Sequence, residues 1–224
     1  MAHEENKAFL RRVPLFASLT DGQVDTLAAA STRRAFPKGR MIVAEGEPSQ
    51  SLYILLSGRA KVQRSDSEGK EVILAVLISG EFFGEMSLID DAPRSASVIT
   101  IESCDFMAIQ KDTFKQMLTQ SPEMCQAVMR SLVKRLREAD RKIETLALLD
   151  VYGRVARVLL DFSEVIGEER VVKGKLPRQE IAKMIGASRE MVSRVMKGLE
   201  IEGYILPLPE GKLVLREKLS LYLN

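Results

Sequence analysis

The chain has 224 residues, a formal net charge of +2, 46% hydrophobic residues and 29% charged residues. That length predicts two domains, and that balance predicts an ordinary globular protein with enough apolar mass for real cores. No apolar run reaches the length of a bilayer span and the N-terminal MAHEENKAFL has no apolar centre, so the sequence predicts a cytoplasmic protein with no membrane partner. Cys104 and Cys125 lack metal-ligand spacing and His3 is the single histidine, which argues against a zinc site, a four-cysteine iron–sulfur cluster and a histidine-based catalytic triad. No nucleophile–base pair is visible either, and the expectation is a protein with no metal and no catalytic activity.

The chain opens with short helices near Lys7–Val13 and Thr20–Ala30, the second started by Thr20-Asp21. From Ser31 to about Gln110 short runs of strand composition follow: Ser51–Gly58, Arg59–Arg64, Glu71–Leu77, Ala96–Thr100 and Cys104–Ile109. Turn signals punctuate them at Pro37-Lys38-Gly39, Gly46-Glu47-Pro48, Gly58, Glu68-Gly69 and Ser79-Gly80. This pattern predicts an antiparallel roll or barrel, with no parallel βαβ unit.

Inside that region lies GEFFGEMSLIDDAPRSAS, Gly80–Ser97. Gly84 allows a close backbone approach and precedes a short helix, Met86–Ile89, whose first amides favour an anion. Arg94 offers a forked donor for a phosphate, Ser95 a hydroxyl, and Glu85 an acceptor for a sugar hydroxyl. Together they fit one phosphate joined to one ribose. On these residues alone, a turn followed by a surface arginine is the preferred reading.

Ser121-Pro122 then starts a long helix. Cys125, Met129, Leu132, Leu136, Ala139, Ile143 and Leu146 recur at alternating spacings of 4 and 3, a heptad seam suited to another helix. The seam either packs on its own domain or pairs two copies of the chain; its length and its polar back favour self-association. Leu149-Asp150-Val151 breaks the register and predicts a hinge, followed by a helix over about Tyr152–Ile166.

LPRQEIAKMIGASREMVSRVMKGLE, Leu176–Glu200, predicts two short helices around a Gly-Ala-Ser turn. The first covers about Arg178–Ile185. The second is capped by Ser188 and buries Val192, Val195, Met196 and Leu199. Arg189, Glu190, Ser193, Arg194 and Lys197 are then left exposed, and with Arg178 and Ser188 they form the candidate DNA-binding set. Arginines at the front of such a helix suit guanine O6 and N7, and a glutamate can accept from cytosine N4. Between Lys173 and Lys197 seven Lys or Arg face two Glu, a local +5 in a chain of +2. That concentration is what a phosphate-facing surface needs, although on this segment alone an ordinary helical hairpin with a solvated face stands equal to it. Ile205–Glu217 predicts a hairpin turning at Glu210-Gly211, a candidate wing.

The order of roll, long helix, hinge and winged helix-turn-helix resembles the catabolite activator/FNR family of bacterial regulators over roughly Phe9 to Leu215. FGEMSLIDDAPRSAS resembles the family's cyclic-nucleotide phosphate cassette, LLDVYGRVARVLL its hinge and following helix, and RQEIAKMIGASREMVSRVMKGLE its DNA reader. The resemblance implies an α+β fold: an effector-binding β-roll at 1–121, a dimerisation helix at 122–149 and a winged helix-turn-helix at 150–224. It implies a homodimer seamed by Leu132, Leu136, Ala139, Ile143 and Leu146 on a palindromic double-stranded DNA site. It further implies a cyclic nucleotide, cyclic AMP first, held by Gly84, Glu85, Arg94 and Ser95. RNA polymerase is a further partner the family implies, although the loop before the reader is a few residues shorter here.

Two departures matter. Ala139 and Asp140 stand where cyclic-AMP-responsive members place two hydroxyl residues against adenine. Pro177 stands where the activator has a capping threonine. The expectation is therefore a ligand-gated regulator responding to cyclic AMP, with a same-fold regulator that responds to cyclic di-GMP or needs no nucleotide as the alternative. A cysteine redox switch is the weaker third reading, since neither cysteine has a basic sequence neighbour to activate it.

Overall fold

A computed structural model describes residues 2–172 and 176–223. The chain forms two compact units, Met1–Arg135 and Leu136–Asn224.

The first unit begins with α1 (Ala2–Leu10) and α2 (Asp21–Ala29). The first helix lies earlier than its composition predicts. Val13 precedes Pro14, which disfavours the helical backbone there, and a 3-10 turn over Pro14–Phe16 replaces the last turn. Thr20 and Gln23 form a reciprocal capping box at the start of α2. Eight strands follow: β1 (Ser31–Phe36), β2 (Met41–Val43), β3 (Ser51–Ser57), β4 (Ala60–Ser65), β5 (Glu71–Leu77), β6 (Phe82–Phe83), β7 (Ser97–Thr100) and β8 (Cys104–Gln110). Between β6 and β7 sits α3 (Glu85–Ile89). The strands make two antiparallel sheets, ordered β1-β8-β3-β6 and β2-β7-β4-β5. Leu55, Phe83 and Phe106 from one sheet meet Ala60, Leu77 and Val98 from the other, which closes the roll.

After β8 the chain enters α4 (Lys111–Gln120) and then α5 (Pro122–Leu148). Sequence reasoning did not separate α4 as an element of its own. Phe114 and Met117 bury its inner face in the core shared by α1, α2 and β3. Ser121 ends α4 and caps α5, its hydroxyl accepting from the Met124 amide at 3.2 Å.

In the second unit α5 stops at Leu148, and the expected break lies between it and α6 (Val151–Asp161). The break is capped on both sides. Asp150 accepts from the Gly153 amide at 2.9 Å, and Arg154 donates to the Leu149 and Leu146 carbonyls at 3.0 and 2.8 Å. α6 is shorter than predicted. Its periodicity runs on through Val165 and Ile166, but those residues form β9 (Ser163–Ile166), paired with β10 (Glu169–Val172).

Next come α7 (Arg178–Ile185) and α8 (Arg189–Ile201), then β11 (Ile205–Pro207) and β12 (Leu213–Leu215), with a 3-10 segment over Glu217–Leu223. The sheet order is β11-β12-β10-β9. The hairpin expected around Glu210-Gly211 is present as β11 and β12. The core joins Val155 and Leu159 of α6, Ile181 and Ile185 of α7, and Val192, Val195, Met196 and Leu199 of α8, all buried. Each such side chain contributes about 1.5–3 kcal/mol.

Candidate functional site

The first candidate site forms where β6 meets α3. Gly84 caps α3 with φ 90°, a backbone that favours glycine, and its missing side chain makes room. A Cβ built there would lie 1.9 Å from the Arg94 Nη1 and 3.1 Å from the Ser51 carbonyl oxygen. Glycine at this position therefore lets the guanidinium pass across the helix start.

Arg94 and Glu85 are both buried, at 6% and 1% exposure. Arg94 donates through Nη2 to the Ser51 carbonyl at 2.6 Å, and its guanidinium lies 5.8 Å from the centre of the Tyr53 ring. Tyr53 stacks on Phe83 at 5.2 Å. Burial pushes the Arg94 pKa down, while Tyr53 and Glu85 pull it up. Ser95 is exposed beside it.

Glu85 has a partner that sequence reasoning missed. Arg135 of α5 donates through Nη1 to the Glu85 Oε1 at 2.7 Å, and through Nη2 to the Phe82 carbonyl, with its guanidinium 5.1 Å from the Phe82 ring centre. Burial raises the Glu85 pKa. Arg135 is the largest influence against that rise, and Arg94 acts in the same direction. The pair joins positions 50 residues apart. The local signal for Arg135 is its place one helical turn before Ala139, on the same face of α5.

After these contacts two buried polar atoms remain without hydrogen-bond partners, Arg94 Nη1 and Glu85 Oε2. Buried donors and acceptors are normally satisfied, so two orphans at one site are candidate points of contact for a ligand. A charged donor and a carboxylate oxygen, placed beside a glycine that clears the approach, fit an anionic phosphate attached to a hydroxyl-bearing sugar.

The remaining residues expected to bind ligand, Ala139 and Asp140, are exposed on the part of α5 that belongs to the second unit. Along the expected seam, Leu136, Ile143 and Leu146 are 62%, 65% and 48% exposed, while Leu132 is half-buried against the first unit's own core. Met129 and Val133, also exposed, widen the apolar stripe.

The second candidate site is the α7–α8 pair. Gly186 ends α7 at φ 66°, the left-handed backbone the tight turn requires. Ser188 caps α8, accepting from the Met191 amide at 3.1 Å. Pro177 precedes α7 with no side-chain cap, so the start does differ from a threonine-capped one. Arg189, Glu190, Ser193, Arg194 and Lys197 are all exposed. The Ser193 hydroxyl donates to the Arg189 carbonyl at 2.9 Å. Arg178 is half-buried; burial lowers its pKa and Glu200 of α8 raises it. Lys173 and Lys175, two of the charges counted toward the local +5, lie outside the described residues.

The cysteines are free. Cys104 is buried, donating to the Arg59 and Glu102 carbonyls at 3.2 and 3.3 Å, and burial pushes its thiol pKa up. Cys125 donates to the Leu118 carbonyl at 3.1 Å. A raised pKa works against the thiolate a redox switch needs. Among the described residues no group of three or more His, Cys, Asp or Glu is arranged to hold a metal ion, and no helix is long and apolar enough to cross a membrane.

Residues 33–121 match the cyclic nucleotide-binding domain family, and residues 153–221 match the Crp-like helix-turn-helix domain family. The chain is 32% identical over 210 residues to the CRP-like cAMP-activated global transcriptional regulator of Mycobacterium tuberculosis, covering 92% of this chain and 93% of that one. The chain belongs to the CRP/FNR family of transcription regulators. It is also 34% identical to the cyclic AMP receptor protein of Thermus thermophilus over 204 residues, covering 91% of this chain and 93% of the relative. Among solved structures, the c-di-GMP responsive global regulator CLP of Xanthomonas campestris superposes with a TM-score of 0.75 at 30% identity, over 88% of this chain and 99% of that chain. As a CRP/FNR regulator the chain thus pairs a cyclic nucleotide-binding-type roll, which holds the candidate Gly84–Arg94 site, with a Crp-like helix-turn-helix domain that includes α7 and α8.

Proposed function

We propose that this regulator is gated by a cyclic mononucleotide, cyclic AMP first, and that it binds a palindromic DNA site as a homodimer. The observation that carries the ligand reading is the pair of buried orphans, Arg94 Nη1 and Glu85 Oε2. Arg94 Nη1 would donate to a phosphate oxygen, Ser95 would add a hydroxyl, and Glu85 Oε2 would accept from a ribose hydroxyl. Arg135 would hold the other carboxylate oxygen and oppose the rise in pKa that burial imposes on Glu85. For the ligand to regulate, it must bind the DNA-competent state more tightly than the alternative state.

The exposed stripe Leu136–Ile143–Leu146 supports a two-fold helical seam. In DNA, Arg189 and Arg194 would read guanines, Glu190 would accept from cytosine, and Arg178, Ser188, Ser193 and Lys197 would contact phosphates or orient the helix. Recruitment of RNA polymerase belongs to the same reading as a family expectation. The relatives are named as regulators, and the reading assigns the chain no reaction.

A second reading replaces the mononucleotide with cyclic di-GMP. It is favoured by the likeness to the c-di-GMP responsive regulator and by Ala139 and Asp140, which lack the hydroxyls that select adenine. Calorimetric titration with cyclic AMP, cyclic GMP and cyclic di-GMP separates the readings. Cyclic AMP should bind with modest discrimination from cyclic GMP, and Arg94→Ala should abolish that binding, because a buried phosphate would lose its charged partner. No heat with any of the three, together with tight specific DNA binding by the unliganded protein, would replace both readings with a nucleotide-independent regulator.

A further inference from the structure

The loop that delivers Arg94 is anchored by a residue that the ligand chemistry does not use. Asp91 follows the C-cap of α3 and has φ 57°, and it is the one non-glycine residue with positive φ among those described. Glycine takes that backbone freely; aspartate takes it at a cost that the surroundings must offset. Here its carboxylate sits between two ammonium groups. Oδ1 lies 2.6 Å from the Lys111 Nζ and 2.9 Å from the Lys115 Nζ, and Oδ2 accepts from Lys115 at 3.1 Å.

Lys111 and Lys115 are one turn apart on α4, so both reach the same side of that helix. The helix is a fixed post: Phe114 and Met117 are buried at 0% and 1% exposure, and the Lys111 amide donates to the Gln50 carbonyl at 2.9 Å. The two lysines hold the Asp91 carboxyl at about 2, well below the usual range.

The rest of the loop is pinned by uncharged groups and one short Asp90 turn bond, each using a backbone atom of the loop. The Ala92 amide donates to Asp90 at 3.0 Å, Ser87 donates to the Pro93 carbonyl at 3.1 Å, and the Arg94 amide donates to the Glu47 carbonyl at 2.9 Å. At Asp91 a side chain ties the loop to α4 by charge. We propose that Asp91, held by Lys111 and Lys115, is a positioning residue that fixes the loop so that the Arg94 guanidinium enters the site in register with Glu85. The consequence for affinity rests on the proposed binding of a cyclic nucleotide phosphate by Arg94; the consequence for loop order does not.

The test uses the full chain, with Asp91→Gly, which keeps the backbone and removes the charge, and the double variant Lys111→Met/Lys115→Met. Amide hydrogen exchange is followed without ligand at low salt and at high salt, and cyclic AMP affinity is measured by calorimetry. Both variants should exchange about 3–10-fold faster over residues 90–96 and bind cyclic AMP weaker by a similar factor, the range expected for two half-exposed ion pairs. Exchange over β3 and β8 should stay unchanged. High salt should loosen the same segment in the parent protein and have little further effect in the variants, because the pairs are screened. Parent-like exchange over 90–96 in Asp91→Gly would overturn the proposal, as would faster exchange spread across the whole unit. If the parent protein takes up no cyclic AMP, the functional reading fails, and the exchange result still decides whether Asp91 fixes the loop.

Discussion

Arg135→Met gives the sharpest test of the first site, because it removes a charge from a pair whose other member is buried. Glu85 is 1% exposed and its Oε1 lies 2.7 Å from the guanidinium. Breaking a fully buried pair costs about 3–5 kcal/mol. The Arg135 side chain keeps 35% exposure, so screening reduces the figure to about 2–3 kcal/mol. For a unit of this size that lowers the melting temperature by about 8–12 °C.

The loss should depend on pH, and the sign follows from burial. The folded pKa of Glu85 is raised, so its contribution to stability is fully present below the ordinary carboxylate range and is lost as pH rises through the folded value. Arg135 opposes that rise, and without it the folded value climbs further. The variant should therefore lose most stability near neutral pH and less in mild acid, as protonation of Glu85 removes the charge that Arg135 neutralises. A small pH-independent part remains from the lost contacts to the Phe82 carbonyl and ring. Thermal unfolding followed by circular dichroism at pH 7.5 and 4.5, without ligand, measures both parts. Adding Glu85→Gln to the variant should recover most of the loss at pH 7.5. An equal loss at the two pH values, or no recovery in the double variant, would show that the ion pair is not what the arginine contributes.

Gly84→Ala should weaken cyclic AMP binding by at least about tenfold, since the new methyl meets Arg94 and the backbone is left-handed; calorimetry with an unchanged affinity would refute the need for the gap. Arg189→Ala and Arg194→Ala should each cost about 1–3 kcal/mol on the specific site and relax one base position per half-site, whereas Lys197→Ala should weaken all sequences and flatten the salt dependence; fluorescence anisotropy on specific and random duplexes separates the two behaviours. Leu136→Asp, which places a charge in the exposed apolar stripe, should give monomers in sedimentation velocity, and an unchanged dimer would move the interface elsewhere.

The DNA reader was legible in the sequence because its determinants are local. Ser188, Gly186 and the spacing of Ile181, Ile185, Val192, Val195, Met196 and Leu199 fix two helices and their buried faces within one short stretch. The longer strands of the roll were legible for the same reason, through runs such as Glu71–Leu77 bounded by turn residues. Gly84, Glu85 and Arg94 were legible as a set because one short segment carries all three. Other features were decided by contacts between distant segments. α4 has no side-chain N-cap to announce it, and β9 continues the spacing of α6 until pairing with β10 makes it a strand. β1, β2 and β6 carry little pattern of their own and exist through their partners in the sheets. Arg135 reads in sequence as one more polar residue beside a heptad, and Asp91 as one acid in a turn. Only the packing of α5 and α4 against the cassette turns the first into the partner of Glu85 and the second into an anchor for the loop, because charge pairing depends on distance in space and not on distance along the chain.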